Sequence, residues 1–254
     1  MVKVNEPTWL PDKKYYEYAY HKFFNPSVEY QTWQPWNEWT YPERDLIRFH
    51  HIINQQLDYI QKKRVLDVAC HLGYLSLFCL YHGSSFVTGT NIRERELSIA
   101  KEINTIAGYN NFNFIDSDIY NIEEFANLCN RHDTVLLSGI LYHINHHYQV
   151  LKAIAESSAD TVIIESCLHN SITLGNSPII NWTFENVFDS VSGYEKNQST
   201  TFVGIPNHQW IEKALLQLKF HIVYNEIFDY KRVDGTVKKK CVIVGKKSNI
   251  NHAL

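Results

Sequence analysis

Apolar residues recur along this chain with two periods, and the alternation between them predicts its elements. Short runs bounded by turn-forming or charged residues, at 64–67, 86–91, 112–115, 133–138 and 161–165, read as strands. Between them lie stretches with helical spacing at 74–81, 93–106 and 121–128; Leu97, Ala100, Ile103 and Ala107 fall on one face of the second. A further helix is expected at 210–218, a strand beginning at 220–223, a turn at Asp234-Gly235 and a last strand at 240–244. Strands separated by helices in this order imply an α/β fold with a parallel, doubly wound sheet.

Two regions depart from that rhythm. Residues 1–60 are crowded with rings, among them Tyr15, Tyr16, Tyr18, Tyr20, Phe23, Phe24, Tyr30, Trp33, Trp36, Trp39 and Tyr41, followed by a helix expected from about 42–45 to about 60. Such rings bury well against a core, so this segment reads as an aromatic cap on the core at 61–254. The second is an insertion at about 167–207, longer than an ordinary connection and carrying Pro178, Trp182, Phe184, Phe188, Tyr194 and Phe202. Long connections at the carboxyl ends of parallel strands commonly carry substrate choice, which places the acceptor between this insertion and the cap.

Composition narrows the function classes. The formal net charge of −3 argues against a surface covered in phosphate-neutralising lysines, although Lys62-Lys63-Arg64, Lys238-Lys239-Lys240 and Lys246-Lys247 are local basic runs that either touch RNA or end strands in solvent. Five cysteines, Cys70, Cys79, Cys129, Cys167 and Cys241, have neither an even count nor C-x-x-C spacing, and read as reduced thiols. With no signal-peptide pattern and no apolar run long enough to span a bilayer, the expected compartment is the cytoplasm.

The richest segment is Arg64-Val-Leu-Asp67-Val-Ala69-Cys-His71-Leu-Gly73-Tyr-Leu-Ser76, an apolar run ending in an acid, then a tight turn, then a helix. Helix starts present unpaired N–H groups to a ligand. A dinucleotide fingerprint, G-x-G-x-x-G, fails because only Gly73 serves it. The segment instead resembles the first motif of the class I S-adenosylmethionine-dependent methyltransferases, acid-x-Gly-x-Gly-x-Gly, with Asp67, Ala69, His71 and Gly73 at its four key places. The resemblance extends in element order over about 60–247. It implies a Rossmann-like, mostly parallel seven-stranded sheet with an antiparallel last strand, and S-adenosyl-L-methionine as cofactor.

Residue by residue, the resemblance sets Asp67 toward the ammonium end of the methionine moiety and Gly73 at a close backbone approach. Ala69 is expected at negative φ, since a β-carbon makes the left-handed region costly by roughly 1–2 kcal/mol. His71 puts a ring where the family has no side chain. Asn91 stands where the family carries a ribose-binding acid, and Ser117 with Asp118 at the adenine side. The segment Ser138-Gly-Ile-Leu-Tyr142-His143 also resembles the tRNA wobble-uridine carboxymethyltransferases, which implies Tyr142 near the transferred group. His143 is the candidate base and Tyr142 the positioning group. Spacing of His143, His146 and His147 invites a metal, but no C-x-x-C or H-E-x-x-H completes a site, so none is expected.

The expected activity is therefore methyl transfer from S-adenosylmethionine to a small molecule or an RNA nucleoside, tRNA included. Two alternatives stand beside it: a carboxylated cofactor used on tRNA wobble uridine, and a cofactor-binding module without catalysis.

Overall fold

The computed structural model describes residues 10–32, 43–169, 177–186, 200–231 and 235–247. The chain divides into two compact units, 1–116 and 117–254.

In the first unit, α1 (Lys13–Phe24) and α2 (Glu43–Ile52) precede β1 (Arg64–Val68), α3 (Tyr74–Tyr81), β2 (Phe86–Asn91), α4 (Glu94–Ile106) and β3 (Phe112–Asp116). The three strands are parallel, with Val65 opposite Val87 and Val87 opposite Phe112. Four consecutive residues of β1, Val65 to Val68, are buried, the pattern of a strand covered on both faces. The helix predicted from 42–45 to 60 ends earlier: α2 stops at Ile52 and a 3₁₀ segment, Asn54–Tyr59, kinked at Gln56, replaces its second half.

The N-terminal aromatics within the described residues pack as rings with polar tips. Asp12 caps α1 by accepting from the Lys14 N–H at 2.9 Å. Tyr16 and Tyr18 are fully buried; the Tyr16 hydroxyl donates to Asp45 at 2.5 Å and that of Tyr18 to Glu102 at 2.6 Å. The Tyr16 ring lies 4.3 Å from that of Tyr74, whose hydroxyl donates to the Tyr16 carbonyl. Phe24, by contrast, is exposed. Trp33, Trp36, Trp39 and Tyr41 lie outside the described residues.

The second unit runs α5 (Ile122–Cys129), β4 (Thr134–Ser138), α6 (His147–Glu156), β5 (Thr161–Cys167), β6 (Ile180–Asn186), β7 (Thr200–Pro206), α7 (His208–Gln217), β8 (Phe220–Lys231) and β9 (Val237–Lys247). β4 and β5 are parallel, and β9 runs antiparallel to both β5 and β8. The seven-stranded sheet has the order β3-β2-β1-β4-β5-β9-β8, a Rossmann-like arrangement with the final strand reversed. β4 is almost wholly buried, whereas edge strand β8 alternates with solvent. The insertion, expected as a long loop, carries a second sheet in which β6 and β7 pair antiparallel. Asn207 ties it to α7: its Oδ1 accepts from Trp210 N at 2.9 Å and from Ile179 N at 3.1 Å, while its Nδ2 donates to the Ser177 carbonyl at 2.8 Å. Gly235 has a positive φ of 82°; Asp234, the other residue of the expected turn, lies outside the described residues, as do Phe188 and Tyr194.

Candidate active site

The turn between β1 and α3 is the most strained segment of the first unit. Ala69, His71 and Gly73 all have positive φ, at +55°, +50° and +75°, while Cys70 and Leu72 between them do not. The expectation that Ala69 keeps a negative φ is thus corrected: the turn retains glycine's conformation at all three motif places although two carry side chains. That costs roughly 1–2 kcal/mol at each of the two. The turn is closed by its own backbone: the Cys70 N–H donates to the Thr90 carbonyl at 2.8 Å and the Gly73 N–H to the Cys70 carbonyl at 2.8 Å. Gly73 is fixed by space as well, since a β-carbon there would lie 2.5 Å from that of Ala100 on α4. His71 is exposed, with its ring 5.9 Å from that of Phe23.

Asp67 is 1% exposed and accepts from the Ser76 hydroxyl at 2.7 Å, so its carboxyl anchors the first turn of α3. Burial pushes that carboxyl up to about 7, against the hydrogen bonds from Ser76 that pull it down. At the end of β2, Asn91 is buried and both ends of its amide are engaged. Its Nδ2 donates to Glu96 at 2.6 Å and its Oδ1 accepts from Ile92 N at 2.8 Å. Glu96, also buried, is held on its other oxygen by Arg93 at 3.2 Å. A carboxylate therefore does stand beside the place where an acid was expected, supplied by α4. Sequence reading missed it, because an acid in the first turn of a helix is what the helix dipole alone favours.

In the second unit, Asp118 makes a local turn, accepting from Tyr120 N at 2.9 Å. The cap of α5 is Asn121, whose Oδ1 accepts from Glu124 N at 3.4 Å and whose Nδ2 donates to the Glu124 carboxylate at 2.9 Å. Ser117 is half-buried beside Asp118. Tyr142 and His143 sit in a 3₁₀ turn, Leu141–His143, just beyond β4. His143 Nδ1 lies 2.8 and 3.0 Å from the two oxygens of Glu185 on β6. Glu185 escaped the sequence reading; 42 residues separate it from His143 and no local pattern marks it.

The three histidines go to three different partners rather than to one helix face. His146 meets the Tyr120 ring edge-on at 4.8 Å, and buried His147 donates from Nε2 to the Gly204 carbonyl at 2.8 Å. Desolvation lowers the pKa of His147. Gly204 allows that approach, since a β-carbon there would lie 2.7 Å from the His147 ring and 2.8 Å from Trp182. Among the described residues no group of three His, Cys, Asp or Glu side chains is placed to hold a metal ion.

In the basic runs Lys62, Arg64, Lys238 and Lys239 are exposed, as solvated strand ends would be, whereas Lys240 and Lys247 depart from that expectation. Lys240 is 3% exposed and pairs with fully buried Glu165, whose other oxygen accepts from Ser138 at 3.2 Å. Its ammonium lies 5.6 Å from the centre of the Tyr142 ring and 4.6 Å from that of Tyr230. Lys247 donates to the Ser157 carbonyl at 2.5 Å, and burial lowers its pKa.

The family model described as a methyltransferase domain matches residues 61–226. None of the curated proteins matches the sequence. Among solved structures, the N-terminal domain of EvdMO1, crystallised in the presence of SAH and D-fucose, is 18% identical, with a TM-score of 0.62 over 95% of this chain and 100% of that one. A putative S-adenosylmethionine-dependent methyltransferase from Listeria monocytogenes is 15% identical, with a TM-score of 0.57 over 80% of this chain and 99% of that one. The magnesium protoporphyrin IX methyltransferase of Synechocystis PCC 6803, with bound SAH, is 16% identical, with a TM-score of 0.54 over 93% and 98%. With a family match over most of its length, the motif turn in place and this sheet order, the chain belongs to the class I S-adenosylmethionine-dependent methyltransferases.

Proposed function

We propose that this enzyme methylates a small molecule in the cytoplasm, with the turn 69–73 as cofactor grip and His143 as base. The observation that carries the cofactor part is the run of left-handed backbone at Ala69, His71 and Gly73. A folded chain keeps such strain where surrounding structure or a ligand makes use of it. The His71 and Leu72 N–H groups of the turn are assigned to the methionine carboxylate, and the Glu96 carboxylate with Asn91 to the ribose hydroxyls. Asp67, engaged with Ser76, shapes the turn and meets the ammonium group through its remaining acceptor capacity. Ser117 and Asp118 are assigned to the adenine side.

S-adenosylmethionine supplies an activated methyl group whose transfer leaves a neutral thioether. The chain's own residues have then to align the acceptor and to receive its proton. His143 is suited to the proton and Tyr142 to positioning. A small acceptor is preferred to RNA because Lys240 and Lys247 turn inward, leaving no continuous basic stripe among their runs. Nor is the carboxylated cofactor favoured, since the cation beside Tyr142, Lys240, already has Glu165 as its counter-ion. Among the described residues no helix is long and apolar enough to cross a membrane, and all five cysteines are free thiols.

Calorimetry with S-adenosylmethionine and its demethylated product, together with mass spectrometry of ligand released from the purified protein, tests this reading. Binding of both compounds and release of unmodified cofactor are expected. No heat with either compound would end the proposal, and a carboxylated ligand would replace it.

A further inference from the structure

The pairing of His143 with Glu185 points beyond this reading while resting on it. We propose that Glu185 is a positioning residue that fixes the tautomer of His143, and that the acceptor it serves is a hydroxyl group.

An ionised carboxylate only accepts hydrogen bonds, so the nitrogen facing both Glu185 oxygens at 2.8 and 3.0 Å carries the hydrogen. In the neutral ring that leaves the lone pair on Nε2, the atom able to take a proton. Both side chains are about four-fifths buried, at 22% and 19% exposure, which strengthens the pair relative to one in open solvent. The neighbouring rings do not compete for the role. His146 packs on Tyr120, and His147 spends its Nε2 hydrogen on the Gly204 carbonyl.

A neutral amine already presents a lone pair, and a thiol ionises close to neutral pH; neither gains much from a fixed base. A hydroxyl loses its proton only as its oxygen becomes bonded to carbon, the situation in which a held imidazole contributes most. In that step the acceptor's O–H bond breaks and its proton passes to His143 Nε2. The oxygen gains the methyl group, and the carbon–sulfur bond breaks with its electron pair remaining on sulfur. The imidazolium, stabilised by Glu185, returns the proton to water.

The first test needs no acceptor. Nitrogen-15 NMR of His143 in protein saturated with S-adenosylhomocysteine should show the Nδ1–H tautomer in the wild type, its loss in Glu185→Gln, and its recovery in Glu185→Asp. An Nε2–H tautomer in the wild type, or no change in Glu185→Gln, overturns the positioning role. Calorimetry with the same compound on each variant separates the two readings: lost binding in the wild type sinks the proposed function, whereas normal binding with an unmoved tautomer sinks only the inference.

Acceptor class is then read with catechol, methyl α-D-glucopyranoside, benzylamine and thiophenol as probes. Methylation of a hydroxyl probe is expected, with kcat falling on the order of 10- to 100-fold in Glu185→Gln and KM little changed. Turnover confined to benzylamine or thiophenol, or of no hydroxyl probe, overturns the hydroxyl assignment.

Discussion

The turn 69–73 and the pair His143–Glu185 contribute to the proposed site in two different ways. The turn is made by neighbours in sequence and stores its cost in the backbone, with side-chain-bearing residues at φ +55° and +50° where glycine would be relaxed. The pair joins positions 42 residues apart and rests on a side-chain hydrogen bond that forms only when β6 is in place. The place of a local turn is announced in sequence by its flanking strand and helix, even where its strain is not. A long-range pair leaves no such trace, although in the proposed mechanism it sets which nitrogen can act.

The comparison is broken most severely at the pair. His143→Ala should leave cofactor affinity unchanged and slow turnover on the order of 100- to 10,000-fold, read by calorimetry and single-turnover kinetics with a responsive acceptor. Unchanged turnover would remove His143 from the chemistry and leave the turn as the sole functional feature of the two.

Asp67 tests how far the turn depends on a buried acid. Its folded pKa of about 7 lies above that of an unfolded aspartate, so the folded protein holds a proton that the unfolded chain has already released. Its contribution to stability is therefore greatest below about pH 4 and falls as pH rises toward 7. The loss integrates to about 4 kcal/mol across that window. Asp67→Asn should flatten this slope in urea denaturation measured from pH 4 to 8, and an unchanged slope would mean that another group governs it.

Gly73→Ala combines left-handed backbone with a β-carbon 2.5 Å from Ala100, and should cost roughly 2–5 kcal/mol in chemical denaturation. The smallest effect sharpens the contrast from the other side. Ala69→Gly relieves a left-handed strain but adds chain entropy, leaving a gain of about 0.5–1 kcal/mol in the same measurement. A loss instead would show that the Ala69 methyl group packs usefully.

Much of the fold was legible because its signals are local. The 74–81 helix and the 86–91 strand end where the pattern placed them, and 93–106 begins one residue later, at Glu94. Burial on both faces made β1, β4 and β5 continuous apolar runs, which read as core strands whatever packs on them. The β6–β7 sheet was not legible as strands, since its exposed Trp182, Phe184 and Phe202 gave a ring-rich segment without a clean inside and outside. In the basic run 238–240 only Lys240 misled, for the opposite reason: a lysine reads as solvated until a buried partner such as Glu165 is known.

Sequence by itself determined the order of the sheet's core strands and of most helices between them, the place of the turn after β1, and the kinship that follows from both. These are properties of residues a few positions apart, where propensity and burial period act directly. Tertiary structure alone decided that Ala69 and His71 would accept left-handed backbone, that Glu96 would stand beside Asn91, and that Glu185 would hold His143. Each of these depends on neighbours brought together by packing, and a hydrogen bond between distant side chains is specified by the whole fold rather than by the segments that make it.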